Sequence, residues 1–275
     1  MHVDLLVVGG GIAGLKAARE AADAGKQVLL VEQTAHLGGR SMVDGGKIDW
    51  MAAADWVTAQ MADFAAMPNL TVRTRAMASG LYDHGYAMVY ERVSDHRPGQ
   101  PGAPRHRLWR VRAKDIVIAT GAIERPLTFA GNDMPGVMLA SAVRDYIGLW
   151  GVMPGKRGVV CANNDDAYRT ALAMADAGGK VEAVLDVRAE ANGALPDAVR
   201  ARGIQVRPGH GIVRAKGGLK VDEVEIGKLS GDGISNRGEH MFCDLVAVSG
   251  GWSPVVHLWS HCGGKLTWQE DGAYF

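Results

Sequence analysis

The chain has 275 residues, and its 30 Lys plus Arg are balanced by 30 Asp plus Glu, giving no formal net charge and a pI near 7.1. That length suffices for a large core in one or two domains, and the even balance offers no pull toward nucleic acid or an anionic membrane. The three cysteines, Cys161, Cys243 and Cys262, lie far apart with no C-x-x-C, which argues against a disulfide framework or metal knuckle and for a reducing compartment.

Val3-Asp4-Leu5-Leu6-Val7-Val8 reads as a buried strand that begins too early to leave room for a signal peptide. Gly9-Gly10-Gly11-Ile12-Ala13-Gly14 follows it and opens an alanine-rich helix over about 12–24, closed by Gly25. A second strand, Val28-Leu29-Leu30-Val31, then ends in Glu32. In that context the glycines form a dinucleotide-binding fingerprint. Gly9 makes the strand-to-helix turn, Gly11 admits a pyrophosphate, and Gly14 lets the helix lie close on the strand. Free N–H groups of Ile12 and Ala13 at the positive end of the helix dipole face the phosphates. Glu32, with Gln33 beside it, stands where a carboxylate accepts both hydroxyls of an adenosine ribose. A 2′-phosphate would meet it as a like charge, so NAD or FAD is expected rather than NADP.

Gly38-Gly39-Arg40-Ser41 places a second glycine pair before a helix, either as a phosphate-reaching loop or as an ordinary turn. Trp50, Ala53, Trp56, Val57, Met61 and Phe64 recur at helical spacing over 50–67, and Pro68 ends the pattern. From Leu70 to Arg112 the period shifts toward two, with a loop at Arg97 to Pro104, which predicts an antiparallel meander. The apolar run Asp115 to Ala119 returns the chain to the first, parallel sheet, and Thr120-Gly121 follows at its carboxyl end, where such sheets place their ligand crevice.

The same rhythm then repeats. A strand is expected at Arg157 to Ala162, a helix at 165–177 ended by Gly178-Gly179, and a strand from Val181 to Asp186. The glycine positions of this unit hold Ala162, Asn164 and Ala167, and Asp165 with Asp166 are expected to cap its helix while repelling a pyrophosphate. One working nucleotide site is therefore expected. Residues 211–248 add a hairpin and the apolar run Leu245 to Val248. The predicted organisation is α/β with two Rossmann-like folds of the glutathione-reductase type: a first domain over 1–125 with the meander inserted, a second over 126–250, and the start of a return segment over 251–275. The abrupt end at Ala273-Tyr274-Phe275 suggests a piece of a longer polypeptide. The apolar stretch from Val137 to Met153 is broken by Arg144 and Asp145, so no membrane span and a cytoplasmic location are expected.

Several further motifs carry a resemblance: Leu81 to Tyr86, Ala119 to Pro126, Asn132 to Arg144, Asn163 to Thr170, and Val248-Ser249-Gly250-Gly251-Trp252-Ser253-Pro254. The two-fold plan resembles the glutathione and thioredoxin reductases. The motifs resemble the alpha subunits of heterotetrameric sarcosine oxidases and of related opine, octopine and proline dehydrogenases. The resemblance implies NAD on this region, FAD in a beta subunit, FMN at the alpha–beta interface, and a tetrahydrofolate-binding domain downstream. It implies partner subunits of a hetero-oligomeric, flavin-dependent amine oxidase, with no catalytic residue in this region. An FAD-binding dehydrogenase subunit and a scaffold with a structural nucleotide are the alternatives. There is no redox cysteine pair, which excludes disulfide reduction. The Gly-Asp motif that completes a reductase flavin site is absent before Phe275, which puts NAD ahead of FAD.

The other candidates read as structural. His257, His261 and Cys262 lack a carboxylate or second cysteine, so no metal is expected. Met134, Met138 and Met153 read as filler. Asp83 and His84, adjacent on a strand, would face opposite sides. Glu124-Arg125-Pro126 is expected to guide the crossing between domains.

Overall fold

The computed structural model describes residues 1–97, 102–231, 233–234 and 238–275. Residues 98–101, within the loop expected at Arg97 to Pro104, fall outside the described residues. The chain divides into two compact units, residues 1–122 with 254–275, and residues 123–253. The sequence reading had placed the breaks at 125 and 250.

In the first unit, β1 (His2–Val8), α1 (Ile12–Asp23) and β2 (Val28–Val31) are followed by α2 (Ser41–Asp44), the short pair β3 (Lys47–Ile48) and β4 (Met51–Ala52), and α3 (Ala53–Ala65). Then come β5 (Leu70–Arg73), β6 (Ala76–Tyr82), β7 (Tyr86–Arg92) and β8 (His106–Ile118). One six-stranded sheet runs β5-β2-β1-β8-β7-β6. The pairs β5–β2, β2–β1 and β1–β8 are parallel, while β8–β7 and β7–β6 are antiparallel. Its two faces bury different residues because side chains alternate along each strand. Leu5, Val7, Val28 and Leu30 pack with Leu15 and Ala18 of α1 and Phe64 of α3. Leu6, Val8, Leu29 and Val31 pack with Leu81, Val89, Val111 and Ala113 of the meander. Each fully buried leucine contributes about 2 kcal/mol.

Three sequence expectations are corrected here. Thr71-Val72-Arg73 belongs to β5, in parallel register with Leu29-Leu30-Val31, and not to the meander. Alternation marks a strand but does not say which way its partner runs. Residues 106–118 form one strand rather than two, antiparallel to β7 in its first half and parallel to β1 in its second. The helix expected from Trp50 starts at Ala53. Asp49 and Trp50 take φ of 48° and 68°, a left-handed pair that turns the β3–β4 hairpin and leaves Trp50 94 % exposed.

β9 (Ala122–Glu124) leads into the second unit, where β10 (Val137–Leu139), α4 (Ala140–Trp150), β11 (Arg157–Ala162), α5 (Asp166–Asp176), β12 (Lys180–Asp186), α6 (Ala194–Ala201) and β13 (Val206–Pro208) follow. β14 (His210–Gly217), β15 (Val221–Ser230), β16 (Gly233–Ile234), β17 (Glu239–Phe242) and β18 (Leu245–Ser249) complete it. A parallel sheet runs β10-β18-β11-β12-β13. Val160, Val184 and Ala247 face Val143 of α4, Ala171 and Met174 of α5 and Val199 of α6. On the other face Val159, Leu185 and Val246 meet Ile212, Val224 and Ile226. The hairpin expected within 211–248 is β14–β15, extended by β17 on β15. Met134, Met138 and Met153 are partly buried against these cores. β19 (Trp252–Pro254) pairs with β9, and α7 (His257–His261) follows.

Asp83 and His84 lie in the β6–β7 turn rather than on a strand, with His84 at φ 60° and its carbonyl accepting from Arg112 Nη1 at 3.0 Å. Among the described residues no helix is long and apolar enough to cross a membrane.

Candidate functional site

The candidate site of the first unit is built where β1 turns into α1. Gly9 takes φ 106°, and a Cβ there would collide with the Ala119 carbonyl oxygen at the end of β8. A Cβ on Gly14 would collide with the Gly9 carbonyl oxygen, so the helix can lie this close to the strand only on glycine. Gly11 differs from both. It is the N-cap of α1 at φ −72°, and nothing lies within 4 Å of where its Cβ would stand. No side chain caps α1, and its first turn carries no acid. The N–H groups of Ile12, Ala13 and Gly14 have no intrahelical acceptor.

Glu32 closes one side of the turn. Its carboxylate is buried, with Oε2 accepting from Gly10 N at 2.7 Å and Oε1 from Thr34 N at 2.7 Å. A carboxylate has about four acceptor positions, so two remain for ribose hydroxyls. Both amide contacts went unseen in the sequence, where Glu32 was read only as facing a ligand. Gln33 is exposed, and its carbonyl accepts from Arg92 Nη2 at 3.0 Å.

The Gly38-Gly39 turn packs onto the glycine loop. Gly38 N donates to Gly10 O at 2.7 Å, Gly38 bridges Gly11, and a Cβ on Gly39 would come within 3.3 Å of Gly11 Cα. Arg40 extends to Asp44, with Nη2 to Oδ1 at 2.7 Å, and the Ser41 hydroxyl donates to Gly38 O at 2.6 Å. Of the two readings of this loop, the contacts among Gly38, Ser41, Arg40 and Asp44 are those of a turn leading into a short helix. Thr120 and Gly121 also carry an unforeseen task. Thr120 Oγ1 donates to Val255 O at 2.8 Å and Gly121 O accepts from Val255 N at 2.9 Å, which ties the return segment to the end of β8. Leu81 N donates to His261 Nδ1 at 3.1 Å, so that histidine serves the same tether.

The corresponding end of the second unit is filled by its own side chains. Asp165 is the N-cap of α5, but neither it nor Asp166 caps the helix as expected. Asp166 Oδ2 instead pairs with the buried Arg144 at 2.5 Å, and Asp165 Oδ1 with Arg188 at 2.6 Å. Asp186, at the end of β12, accepts from Tyr168 Oη at 2.7 Å and from Arg188. Burial, reinforced by Asp186, pushes the Tyr168 hydroxyl well above the usual tyrosine range. The hydrogen bond that Arg188 donates to Asp186 is the main reason its guanidinium is held above the usual arginine range. Glu124 is buried, and its Oε2 accepts from Ser141 N at 2.7 Å at the start of α4. It therefore supports a helix end in addition to lying on the crossing.

A parallel sheet flanked by helices, an uncapped glycine-rich helix start, and a carboxylate after the second strand define a mixed α/β, Rossmann-like fold that resembles those of FAD-dependent oxidoreductases. Residues 4–117 match the family of FAD dependent oxidoreductases. Along nearly its whole length the chain is homologous to sarcosine oxidase alpha subunits: it is 42 % identical to that of Corynebacterium sp. (strain P-1) over 98 % of this chain and 28 % of the relative. The chain thus spans about a quarter of that relative. Among solved structures, an L-proline dehydrogenase from P. horikoshii matches with a TM-score of 0.71 at 23 % identity, over 98 % of this chain and 46 % of that one. A T. acidophilum thioredoxin reductase matches with a TM-score of 0.72 at 16 % identity, over 97 % and 82 %. Both show the mixed α/β fold.

Proposed function

We propose that this chain is the NAD-binding region of a sarcosine oxidase alpha subunit, within a flavin-dependent, hetero-oligomeric complex that oxidatively demethylates sarcosine. The observation that carries the reading is the open N-terminus of α1 at Gly11 above the Glu32 carboxylate. A pyrophosphate fits there against the N–H groups of Ile12, Ala13 and Gly14, on the positive end of the helix dipole. Glu32 orients the adenosine ribose and disfavours a 2′-phosphate by charge, while Gly39 keeps the neighbouring turn close. NAD, when bound, supplies a hydride acceptor. This chain's own residues bind and orient it, with Glu32 engaged by the Gly10 and Thr34 amides. Partner subunits supply the flavin chemistry in this reading. The three free thiols and the aqueous fold suit the cytoplasm.

The family match over residues 4–117 favours a second reading, FAD in the same cradle. Both dinucleotides present a pyrophosphate and an adenosine ribose, so the residues named serve either. The nucleotide released on denaturation of the purified chain, identified by mass spectrometry and absorbance, decides between them. Colourless NAD supports the first reading, yellow FAD the second, and a chain that binds neither by calorimetry refutes both.

A further inference from the structure

The three antiparallel strands β6, β7 and β8 of the first unit bury one face and leave much of the other to solvent, with the His261 ring of α7 set edge-on to Tyr82 at 5.0 Å. Ala87, Val89, Val111 and Ala113 point into the core, and the alternate positions point out. The outward side chains align in cross-strand rows. Tyr82, Tyr86 and Arg112 form one row, with the Arg112 guanidinium 5.2 Å from the Tyr86 ring centre. Met88 stands beside Arg110 in the next, and Tyr90 beside Leu108 in the third. Tyr82 and Leu108 are 42 % and 54 % exposed, and Met77, opposite Tyr90, is 46 % exposed. No outward position of the three strands carries a carboxylate, and among the described residues no carboxylate pairs with Arg110 or Arg112. A chain of zero net charge has therefore gathered tyrosine, methionine, leucine and arginine on one open sheet face.

We propose that this face docks an acidic protein surface on a different polypeptide. Tyrosine, methionine and arginine are the side chains enriched in protein interfaces, and exposed apolar groups grouped with cations mark a binding patch rather than a solvated wall. The charge settles the partner's character. A second copy meeting this face with its own would oppose two arginine-bearing surfaces that lack carboxylates and leave Arg110 and Arg112 without counter-charges, so the complementary surface brings carboxylates of its own. The apolar rows between the arginines call for apolar or aromatic side chains interleaved with those carboxylates. This inference does not depend on which nucleotide the first unit holds.

The test titrates the full chain with a random glutamate–tyrosine copolymer, with polyglutamate and with an oligothymidylate by calorimetry, and follows self-association by sedimentation. The copolymer binds more tightly than polyglutamate. Arg110→Glu with Arg112→Glu weakens both by about tenfold or more. Met77→Ser with Leu108→Ser weakens the copolymer alone, because these exposed side chains supply only the apolar part. A control with Lys220→Glu and Lys228→Glu, equal in charge change, leaves copolymer affinity unchanged, and thermal melting shows each variant folded. The proposal is overturned if the arginine pair and the control act alike, if oligothymidylate binds more tightly than either polypeptide, or if the chain forms dimers that the arginine reversal abolishes.

Discussion

Gly11 and Gly14 stand three residues apart in one motif, yet the structure gives them opposite sensitivities to a single methyl group. At Gly14 the added Cβ runs into the Gly9 carbonyl oxygen, which is backbone and cannot swing aside. Helix α1 must lift off β1, and overpacking of this kind costs about 1–3 kcal/mol or more. At Gly11 the Cβ meets nothing within 4 Å, and φ is −72°, which any residue adopts. Alanine is a poorer N-cap than glycine but restricts the unfolded chain, and the two effects oppose each other at about 0.5–1 kcal/mol each. Gly11→Ala therefore leaves stability nearly unchanged. It does place a methyl group where the pyrophosphate approaches, and losing one or two charge-assisted hydrogen bonds costs about 2–4 kcal/mol, roughly 30- to 700-fold in Kd. Denaturant unfolding and calorimetry with NAD and FAD on both variants separate the two effects. A Gly11→Ala chain that binds nucleotide like the wild type refutes the placement of the pyrophosphate, and a Gly14→Ala chain of native stability refutes the close approach.

Glu32→Ala weakens dinucleotide binding by about 1–3 kcal/mol and also lowers apo stability, because the buried Gly10 amide loses its acceptor; Glu32→Arg shifts preference toward NADP, and calorimetry reads both. Native mass spectrometry shows one dinucleotide adduct per chain, since Asp165 and Asp166 with their arginines occupy the second helix start; two adducts would show that end to be open. Burial pushes the Cys161 and Cys243 thiols up to about 12, so a thiol-titrating disulfide labels Cys262 alone in the folded chain at neutral pH and all three after unfolding. Because those folded pKa values lie above the ordinary thiol value of 9.0, their contribution to stability is full below about pH 9 and declines as pH rises toward 12, which unfolding curves at graded alkaline pH measure. The chain alone produces no hydrogen peroxide from sarcosine above a Gly11→Trp control, and turnover without partner subunits would overturn that.

The opening strand, glycine turn, helix and second strand were legible because each follows from neighbours in sequence: an apolar run, the turn residues, and a helical face of Leu15, Ala18 and Ala22. Strand partners were not. Leu70–Arg73 and Ala76–Tyr82 both fall in the period-two stretch expected to form one antiparallel meander, yet one runs parallel to β2 and the other antiparallel to β7, a choice made by the length of the connection and by what the far face must cover. Residue types at the second helix start were read, but not their partners. Arg144 lies 22 residues from Asp166 and Arg188 lies 23 from Asp165, pairings no local pattern announces. Arg40 shows the converse, since its pairing with Asp44 four residues away is of the local kind a helical spacing announces.

The tether from Thr120 and Gly121 to Val255 makes the first unit discontinuous, with residues 123–253 looped out between its two parts. As the ribosome delivers the chain, the second unit becomes complete while the first still lacks its last piece. The intervening unit can gather its own core early, all of it drawn from one uninterrupted stretch. The first must hold β8 without its final clasp until some 130 further residues have emerged. The order of synthesis thus makes the first unit the later of the two to be finished, and mutations that weaken the Val255 clasp would be felt first in the yield of folded protein.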